Sequence, residues 1–255
     1  MKVVAIIPAR MGSSRFPGKP LANILGLPMI EHVRKRVALS TILSDVYVAT
    51  CDKEIHDAIT KLGGKSIMTS SDHQRASDRT AEAAESISAD VIVMVQGDEP
   101  MTYPDMIDLA LQPMIKDPSI ICTNLMKRIT DQDDYLNPNT IKVVTDLQSN
   151  ALYMSRSPIP HLSNNNNLLE TPIYKQVCII PFSKSGLELY TQLDPTPLEI
   201  AESVDMNRFL EHGHNVKMVQ SDYDSHAVDN TEDLKLVTKL MEEDPLTQAY
   251  IGITS

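Results

Sequence analysis

The amino-acid sequence predicts an α/β fold with a mostly parallel sheet and helices on both of its faces. Through about the first 125 residues, short apolar runs of strand length alternate with amphipathic stretches of helical period. Continuous apolar runs are typical of parallel strands, because such strands are buried on both faces. The composition, with 42% hydrophobic and 22% charged residues over 255 positions, is that of an ordinary globular protein.

The strands and helices of this first part follow one another in regular order. Apolar residues recur on one face of each predicted helix. We expect His32 and His56, which lie on two of these helices, to be exposed. The predicted strands are Val3–Ile7, Val46–Ala49, Ser66–Thr69, Val91–Val95 and Ile120–Thr123. The predicted helices carry Met29 and Val37, Ile55 and Leu62, Arg79–Ser86, and Ile107 and Leu111 after Pro104.

The rhythm changes after about residue 125. Strands with long polar connections, one of which contains four consecutive asparagines, indicate a small antiparallel lobe over about residues 125–220. We expect this lobe to serve dimerisation or substrate contact within a single domain of residues 1–255. Its predicted strands are Thr140–Thr145, Ala151–Ser155 and Ile173–Phe182. Two helices near Lys184–Gln192 and Pro197–His212, a strand Val216–Val219 and a last helix capped by Thr231 follow.

Charge and cysteine content argue against several classes of protein. The formal net charge of −11 at pH 7 argues against a bulk electrostatic contact with nucleic acid. The three cysteines are far apart and form no CxxC pair, which favours reduced thiols over disulfides or structural zinc. No apolar run approaches the roughly 18 residues that a membrane span needs. We therefore expect a soluble cytoplasmic protein with no nucleic-acid or membrane partner.

The segment that follows the first strand combines small residues with positive charges. Glycine and serine let backbone N–H groups approach an anion, and arginine and lysine complement the charge of a triphosphate. The segment lacks the Gly-Lys-Ser/Thr ending of a Walker A loop. A solvated basic loop is the alternative interpretation. The residues concerned are Arg10, Gly12, Ser13, Ser14, Arg15 and Lys19.

A single carboxylate ends the later apolar run Val91–Val95. Asp98 precedes Pro100 and belongs to the block Gln96-Gly97-Asp98-Glu99-Pro100. Ligands of open parallel sheets bind beyond the carboxyl ends of the strands, which is where both this block and the basic segment fall. Mg²⁺ prefers one or two carboxylates together with phosphate oxygens and water. Asp98 is therefore a candidate Mg²⁺ ligand, with a turn aspartate that caps the next helix as the alternative.

Several segments, taken together and in order, resemble the CMP-Kdo synthetases, which are 3-deoxy-manno-octulosonate (Kdo) cytidylyltransferases. The basic segment alone is common to many sugar nucleotidyltransferases, whereas the Gln-Gly-Asp-Glu-Pro and Ser-Arg-Ser-Pro-Ile-Pro blocks together are more specific. The resemblance covers nearly the whole chain. The segments are Arg10–Lys19, Gln96–Pro100, Asn137–Val144, Ala151–Pro160 and Val228–Leu234.

The resemblance implies a usually dimeric cytidylyltransferase with a Rossmann-like core. In this family the anomeric 2-hydroxyl of a 2-keto-3-deoxy sugar acid attacks the α-phosphate of CTP and displaces pyrophosphate. The resemblance implies that Asp98 and Asp229 bind Mg²⁺ and that Lys19 and Arg10 act with them in catalysis. It implies nucleotide contacts for Ala9, Arg10, Ser13, Ser14, Arg15, Lys19, His73, Ser77, Arg79 and Gln96, and sugar contacts for Arg156, Gln176, Glu199 and Glu202. For Asp229 the alternative is a helix cap before Thr231.

The chain departs from the family pattern on the sugar side. Gln176 stands where the family has a histidine, Arg75 has no family counterpart, and Asp205-Met206 replaces a Glu-Gln pair. The acceptor is therefore open between Kdo, an amino-substituted analogue such as 8-amino-Kdo, and another 2-keto-3-deoxy acid. Two further interpretations are a nucleotidyltransferase of the same fold that acts on another small acceptor, and a nucleotide-binding protein that has lost catalysis.

Overall fold

A computed structural model describes residues 1–12, 16–163, 168–224 and 226–252 of the chain. The chain divides into two compact units, Met1–Asp108 with Asp224–Ser255, and Leu109–Tyr223. The expectation of one domain with a lobe over about residues 125–220 stays a prediction. Within the described part of the chain, none of the helices has the length and apolar character needed to span a membrane.

Strands and helices alternate along most of the chain. The first are β1 (Val3–Ala9), a 3-10 turn (Lys19–Leu21), β2 (Asn23–Ile24), β3 (Leu27–Pro28), α1 (Met29–Val37), β4 (Asp45–Thr50), α2 (Lys53–Lys61), β5 (Lys65–Met68), α3 (Ala76–Glu85), β6 (Val91–Val95) and α4 (Pro104–Lys116). Then follow β7 (Thr123–Arg128), α5 (Gln132–Leu136), β8 (Lys142–Thr145), β9 (Ala151–Ser155), β10 (Tyr174–Val177) and β11 (Ile179–Ser183). The last are α6 (Lys184–Gln192), α7 (Pro197–Glu202), α8 (Asn207–Glu211), β12 (Lys217–Gln220), α9 (Thr231–Glu243) and α10 (Pro245–Ile251).

The first unit is organised by a parallel sheet in the order β6-β1-β4-β5. All seven residues of β1 are buried, and because successive side chains point to opposite faces, both faces of this strand are covered. Helices α1 and α3 pack against β1, and α2 packs against β4 and β5. The predicted α/β class with a mostly parallel sheet is thus confirmed. The carboxyl ends of these strands meet at one edge.

The second unit contains a sheet in the order β12-β7-β10-β8-β9. The pairs β7–β10, β10–β8 and β8–β9 are antiparallel, as predicted for this lobe. Strand β12, however, pairs with β7 in parallel. The sheet is therefore mixed, because the chain returns to β7 through helices and not through a hairpin.

Two predicted strands have different bounds in the structure. The strand predicted at Ile120–Thr123 is β7, which begins where that prediction ends. The apolar pattern of β7 is broken by the buried Asn124, whose side-chain amide donates to Val177 O at 2.7 Å. Because Asn124 is buried with its hydrogen bonds satisfied, it belongs to the strand although it interrupts the apolar pattern from which strands are predicted. The strand predicted at Ile173–Phe182 is divided at Cys178 into β10 and β11.

Two helical predictions are corrected as well. The helix predicted over Pro197–His212 is two short helices, because Ser203 adopts a left-handed conformation with φ of 54° and ends α7. The cap of α9 is Asn230 and not Thr231, which is the first helical residue. Asn230 accepts from the Asp233 N–H at 2.9 Å, and Asp233 accepts in return from the Asn230 N–H.

Helix α10, which the sequence did not predict, packs against α1 and buries polar groups of that helix. His32 is fully buried, with Nδ1 2.8 Å from the Tyr250 hydroxyl and Nε2 2.7 Å from Ile24 O. Its expected exposure is therefore wrong, and His56 is half-buried. Burial lowers the pKa of His32. The buried Arg36 forms an ion pair with Asp244, so residues about 200 positions apart fix α10 on α1.

Gly97 lies two residues after β6 and directly before Asp98, close to the backbone of β1. A Cβ atom at Gly97 would lie 2.9 Å from Pro8 O and 3.1 Å from Ile30 Cδ1. We therefore predict that Gly97→Ala lowers the free energy of unfolding by about 1–3 kcal/mol, because the backbone must shift to admit the methyl group. Denaturant unfolding measures this change.

The matched control for this substitution is Gly252→Ala. A Cβ at Gly252 would meet only Gln248 O, at 3.6 Å, which is ordinary van der Waals contact. Equal stability of the two variants would contradict the close packing assigned to Gly97.

Candidate active site

Three residues predicted to act together meet at the carboxyl edge of the parallel sheet. The Lys19 ammonium lies 2.7 Å from Asp98 Oδ2 and 3.6 Å from Asp229 Oδ1, and it donates to Val228 O at 2.8 Å. The side chains are 12% exposed for Lys19, 21% for Asp98 and 26% for Asp229. The group is therefore mostly shielded from water but not fully buried. The predicted juxtaposition of Asp98 with Asp229 is present.

The chain around Val228 brings Asp229 to this edge. The Val228 N–H donates to Asp98 O at 2.9 Å, and its side chain is fully buried in an apolar cluster with Ile24, Met29 and Met241. The capping box of α9 uses Asn230 and Asp233. Helix capping therefore does not explain the Asp229 carboxylate, and this argues against the alternative interpretation of that residue as a cap.

The turn that carries Lys19 begins at Gly18. Gly18 has φ of 74°, a left-handed conformation that glycine adopts at little cost, and its N–H donates to Met11 O at 3.2 Å. Arg10 is exposed directly after β1, and Ala9 is the buried last residue of that strand. The predicted triphosphate contacts Ser13, Ser14 and Arg15 lie outside the described residues.

The segment between β5 and α3 is held by side chains of α3. Arg79, which is 3% exposed, donates to Thr69 Oγ1 and to Ser70 O, and Glu82 accepts from the Ser70 N–H at 2.9 Å and pairs with His73. Burial opposes ionisation of Glu82, but hydrogen bonds from Ser70 and His73 outweigh it and lower the pKa of Glu82. Arg79 therefore organises the segment from the interior.

The other predicted nucleotide contacts differ in how exposed they are. Ser77 is fully buried, with its hydroxyl 3.8 Å from Met94 Sδ, whereas His73 is half-buried. Gln96 is half-buried as well and follows the last residue of β6. Of these residues, His73 and Gln96 retain accessible surface for a ligand.

In the second unit, Glu202 fixes the end of β9. Its carboxylate accepts from the Tyr153 hydroxyl at 2.8 Å, the Ser155 hydroxyl at 2.6 Å and the Arg156 N–H at 2.8 Å. Burial opposes ionisation of Glu202, but the hydrogen bonds from Ser155 and Arg156 prevail and lower its pKa. The Arg156 guanidinium donates to Glu202 O at 2.7 Å and to Pro138 O at 3.0 Å. The Glu202 carboxylate therefore binds the backbone of Arg156, and the Arg156 guanidinium binds the backbone of Glu202.

Lys142 is a residue of this region that sequence reasoning missed. It is fully buried in β8, and its ammonium donates to Asn137 O at 2.9 Å, Thr140 O at 2.7 Å and Arg156 O at 2.6 Å. Burial, followed by the charge of Arg156, lowers the pKa of Lys142. The signal in the sequence was a lysine within an apolar strand pattern, which indicates a buried ammonium in need of acceptors.

Glu199 and Gln176 are each engaged by neighbouring side chains. Glu199 is 1% exposed and accepts twice from the Arg208 guanidinium, at 2.8 and 2.7 Å, while it also completes the capping box of α7. This is the geometry of a structural ion pair, and it gives no support to a sugar contact of Glu199. The half-buried Gln176 donates to Asn124 Oδ1 at 2.6 Å.

Comparison with known proteins decides the family. The family model described as cytidylyltransferase matches residues 4–233. The chain belongs to the cytidylyltransferase family. This cytidylyltransferase is 44% identical over 249 residues to the 3-deoxy-manno-octulosonate cytidylyltransferase of Geobacter metallireducens, covering 94% of this chain and 98% of the relative. It is 42% identical over 250 residues to the protein of the same description from Geobacter sulfurreducens, covering 95% and 100%.

Solved structures agree with this family. A CMP:2-keto-3-deoxy-manno-octonic acid synthetase complexed with CTP has a TM-score of 0.88 and 37% identity, covering 95% of this cytidylyltransferase and 99% of the solved chain. A 4-diphosphocytidyl-2C-methyl-D-erythritol synthase from Anaerococcus prevotii has a TM-score of 0.63 at 14% identity. The second likeness shows the fold alone. The enzyme is thus a nucleotidyltransferase, as predicted.

The buried pair of Glu199 and Arg208 generates a prediction on stability. We predict that Glu199→Ala lowers the free energy of unfolding by about 3–5 kcal/mol, because it leaves the guanidinium of Arg208 buried without its carboxylate. Thermal and denaturant unfolding measure the effect. The control is Glu188→Ala, which removes an exposed carboxylate from α6. A Glu199→Ala variant as stable as this control would contradict the structural role.

Proposed function

We propose that this cytidylyltransferase transfers CMP from CTP to the anomeric 2-hydroxyl of Kdo and releases pyrophosphate. The observation that carries the proposal is the group of Lys19, Asp98 and Asp229 at the carboxyl ends of parallel strands. Relatives that match over nearly their whole length are described as acting on 3-deoxy-manno-octulosonate, and a solved relative binds CTP. These descriptions support the same nucleotide and the same class of acceptor for this chain.

We propose Asp98 and Asp229 as the residues that hold Mg²⁺. Both carboxylates converge on a single cation, the Lys19 ammonium, so this point already favours positive charge. Among the described residues, no group of three or more His, Cys, Asp and Glu side chains could hold a metal ion. A pair of carboxylates is nevertheless the usual protein contribution to Mg²⁺ sites that phosphate oxygens complete. When bound, the ion would polarise the α-phosphate and lower the pKa of the sugar hydroxyl.

The basic residues after β1 complement the triphosphate in this proposal. Lys19 and the exposed Arg10 stabilise the charge that develops on the departing pyrophosphate. Ser13, Ser14 and Arg15 belong to the same proposed contact. Because Lys19 is held by two carboxylates, its ammonium already lies beside the proposed Mg²⁺ ligands before the nucleotide binds, which reduces the reorganisation that the reaction requires.

For the sugar acid, Arg156 is the residue that the geometry favours. A guanidinium has five N–H donors, and donation to carbonyl oxygens of Pro138, Glu202 and Ser203 fixes its orientation without neutralising its charge. A fixed cation of this kind suits a carboxylate. Gln176, the neutral residue at the family's histidine position, leaves 8-amino-Kdo as the second acceptor to be tested.

We further propose a cytoplasmic homodimer that serves lipopolysaccharide biosynthesis. The three cysteines Cys51, Cys122 and Cys178 are free thiols, which suits a reducing compartment. Leu147 is 99% exposed and Leu152, on the last strand of the second sheet, is 61% exposed. An exposed leucine in the turn before the edge strand β9 and another on that strand are consistent with a contact between two copies.

The first test is pyrophosphate release from CTP, Mg²⁺ and Kdo, beside parallel reactions with 8-amino-Kdo. We predict turnover by the native chain and a decrease of kcat of about 100-fold or more in Asp98→Ala, because the cation that stabilises the transition state loses a ligand. The matched control is Asp57→Ala, an exposed carboxylate on α2 that pairs with Lys53.

Each outcome of that test has a definite meaning. Turnover of 8-amino-Kdo without turnover of Kdo would replace the acceptor and retain the cytidylyl transfer. Bound CTP with no turnover of either sugar acid would refute the proposed acceptor class and favour another small acceptor. Full activity of Asp98→Ala would contradict the role of that carboxylate.

A further inference from the structure

Met11 and Gly18, which lie near the two ends of the basic segment, are joined through their backbones; we call this pair the neck. The Met11 carbonyl accepts from the Gly18 N–H at 3.2 Å. On its other side, the Met11 N–H donates to Asp52 Oδ2 at 2.7 Å, across 41 positions of sequence. Both backbone groups of Met11 are thereby engaged, one with the far end of the loop and one with the segment that follows β4.

Asp52 stands at the N-cap position of α2 but does not cap that helix with its side chain. An aspartate at this position ordinarily accepts from an N–H of the first turn, which contributes roughly 1 kcal/mol. In this chain the carboxylate is directed away from its own helix and onto the neck of the loop. Asp52 therefore contacts the chain that follows β1 and does not cap its own helix with its side chain.

Thr50, the buried last residue of β4, holds the backbone at Asp52. The Asp52 N–H donates to Thr50 Oγ1 at 3.1 Å, and the Thr50 carbonyl accepts from the Thr69 N–H at 2.9 Å. The turn after β4 is therefore tied to the chain that leaves β5. Met11 is in consequence anchored to the sheet itself.

The negative charge of Asp52 shows what its contact with Met11 is not for. A carboxylate beside a loop that receives a triphosphate repels the ligand, and its hydrogen bond removes the Met11 N–H from the donors available to phosphate. Direct contact with the nucleotide therefore gives no reason for Asp52. The contact of Asp52 with the neck explains its presence, because Gly18, the other residue of the neck, is followed directly by Lys19.

We propose that Asp52 is a positioning residue for nucleotidyl transfer, which fixes the neck through Met11 and so directs Lys19 to Asp98 and Asp229. The inference rests on the proposed function in one respect, namely that the loop binds the phosphates of CTP. What the neck requires is an acceptor oxygen and not a negative charge. Asparagine at position 52 satisfies that requirement, and alanine does not.

The experiment compares Asp52→Ala, Asp52→Asn and the exposed control Asp57→Ala. We expect Asp52→Ala to raise the Kd and KM for CTP about tenfold, the effect of losing one hydrogen bond to a charged group. Asp52→Asn should stay within about threefold of the native values, because its side-chain oxygen still accepts. Calorimetry gives the Kd without any acceptor sugar, and hydrogen exchange by NMR reports the protection of the Met11 amide. Thermal unfolding of each variant is recorded alongside.

A purely structural role would lower the unfolding temperature of Asp52→Ala and leave the Kd for CTP of its folded protein unchanged, which would overturn the proposal. Asp52→Asn as weak as Asp52→Ala would also overturn it, because charge and not acceptance would then matter. If the native chain binds CTP but uses no sugar acid, the proposed acceptor fails and the Kd still decides the role of Asp52. If it binds no CTP, unchanged Met11 exchange in Asp52→Ala refutes the neck, and faster exchange supports it.

Discussion

The arrangement at the carboxyl edge of the parallel sheet depends on one ammonium group. It contacts two carboxylates and donates to a carbonyl. Lys19 joins the segment after β1 to Asp98 after β6 and to the chain that precedes α9. Parallel strands bring their carboxyl ends together but do not fix the loops that follow them. In this protein a charge-assisted contact joins the segments that follow β1 and β6 to the chain that precedes α9, and the buried Val228 holds that chain in place.

Much of the fold could be predicted from the sequence because it depends on local patterns, whereas Asp229 was predicted to join Lys19 and Asp98 only through the family resemblance. Strand β1 was predicted from its apolar run alone. The segments that carry Lys19 and Asp98 were recognised from their positions after predicted strands. Lys142, Asp52 and the capping by Asn230 were missed because their roles depend on partners that are distant or that compete locally. His32 was expected at the surface, since a helical period does not show that α10 covers it. Tertiary packing overrides such local signals.

The polar residues of the second unit serve largely to hold its backbone. Lys142 donates to the Arg156 carbonyl and Glu202 accepts from the Arg156 N–H, directly after β9, while the guanidinium of Arg156 donates to the Glu202 carbonyl at the end of α7. Buried ionic groups are tolerated only where acceptors and donors are satisfied, so this region has little freedom to rearrange.

The discontinuity of the first unit has a consequence for the order of assembly. Its sheet is made from residues up to Asp108, whereas Asp229 and the helices that hold it come from Asp224–Ser255. During synthesis, Lys19 and Asp98 emerge long before the carboxylate that completes their group. Asp229 is therefore the last of the three charged residues to be synthesised. A chain that ends before this segment has Lys19 and Asp98 but lacks the second carboxylate that faces Lys19.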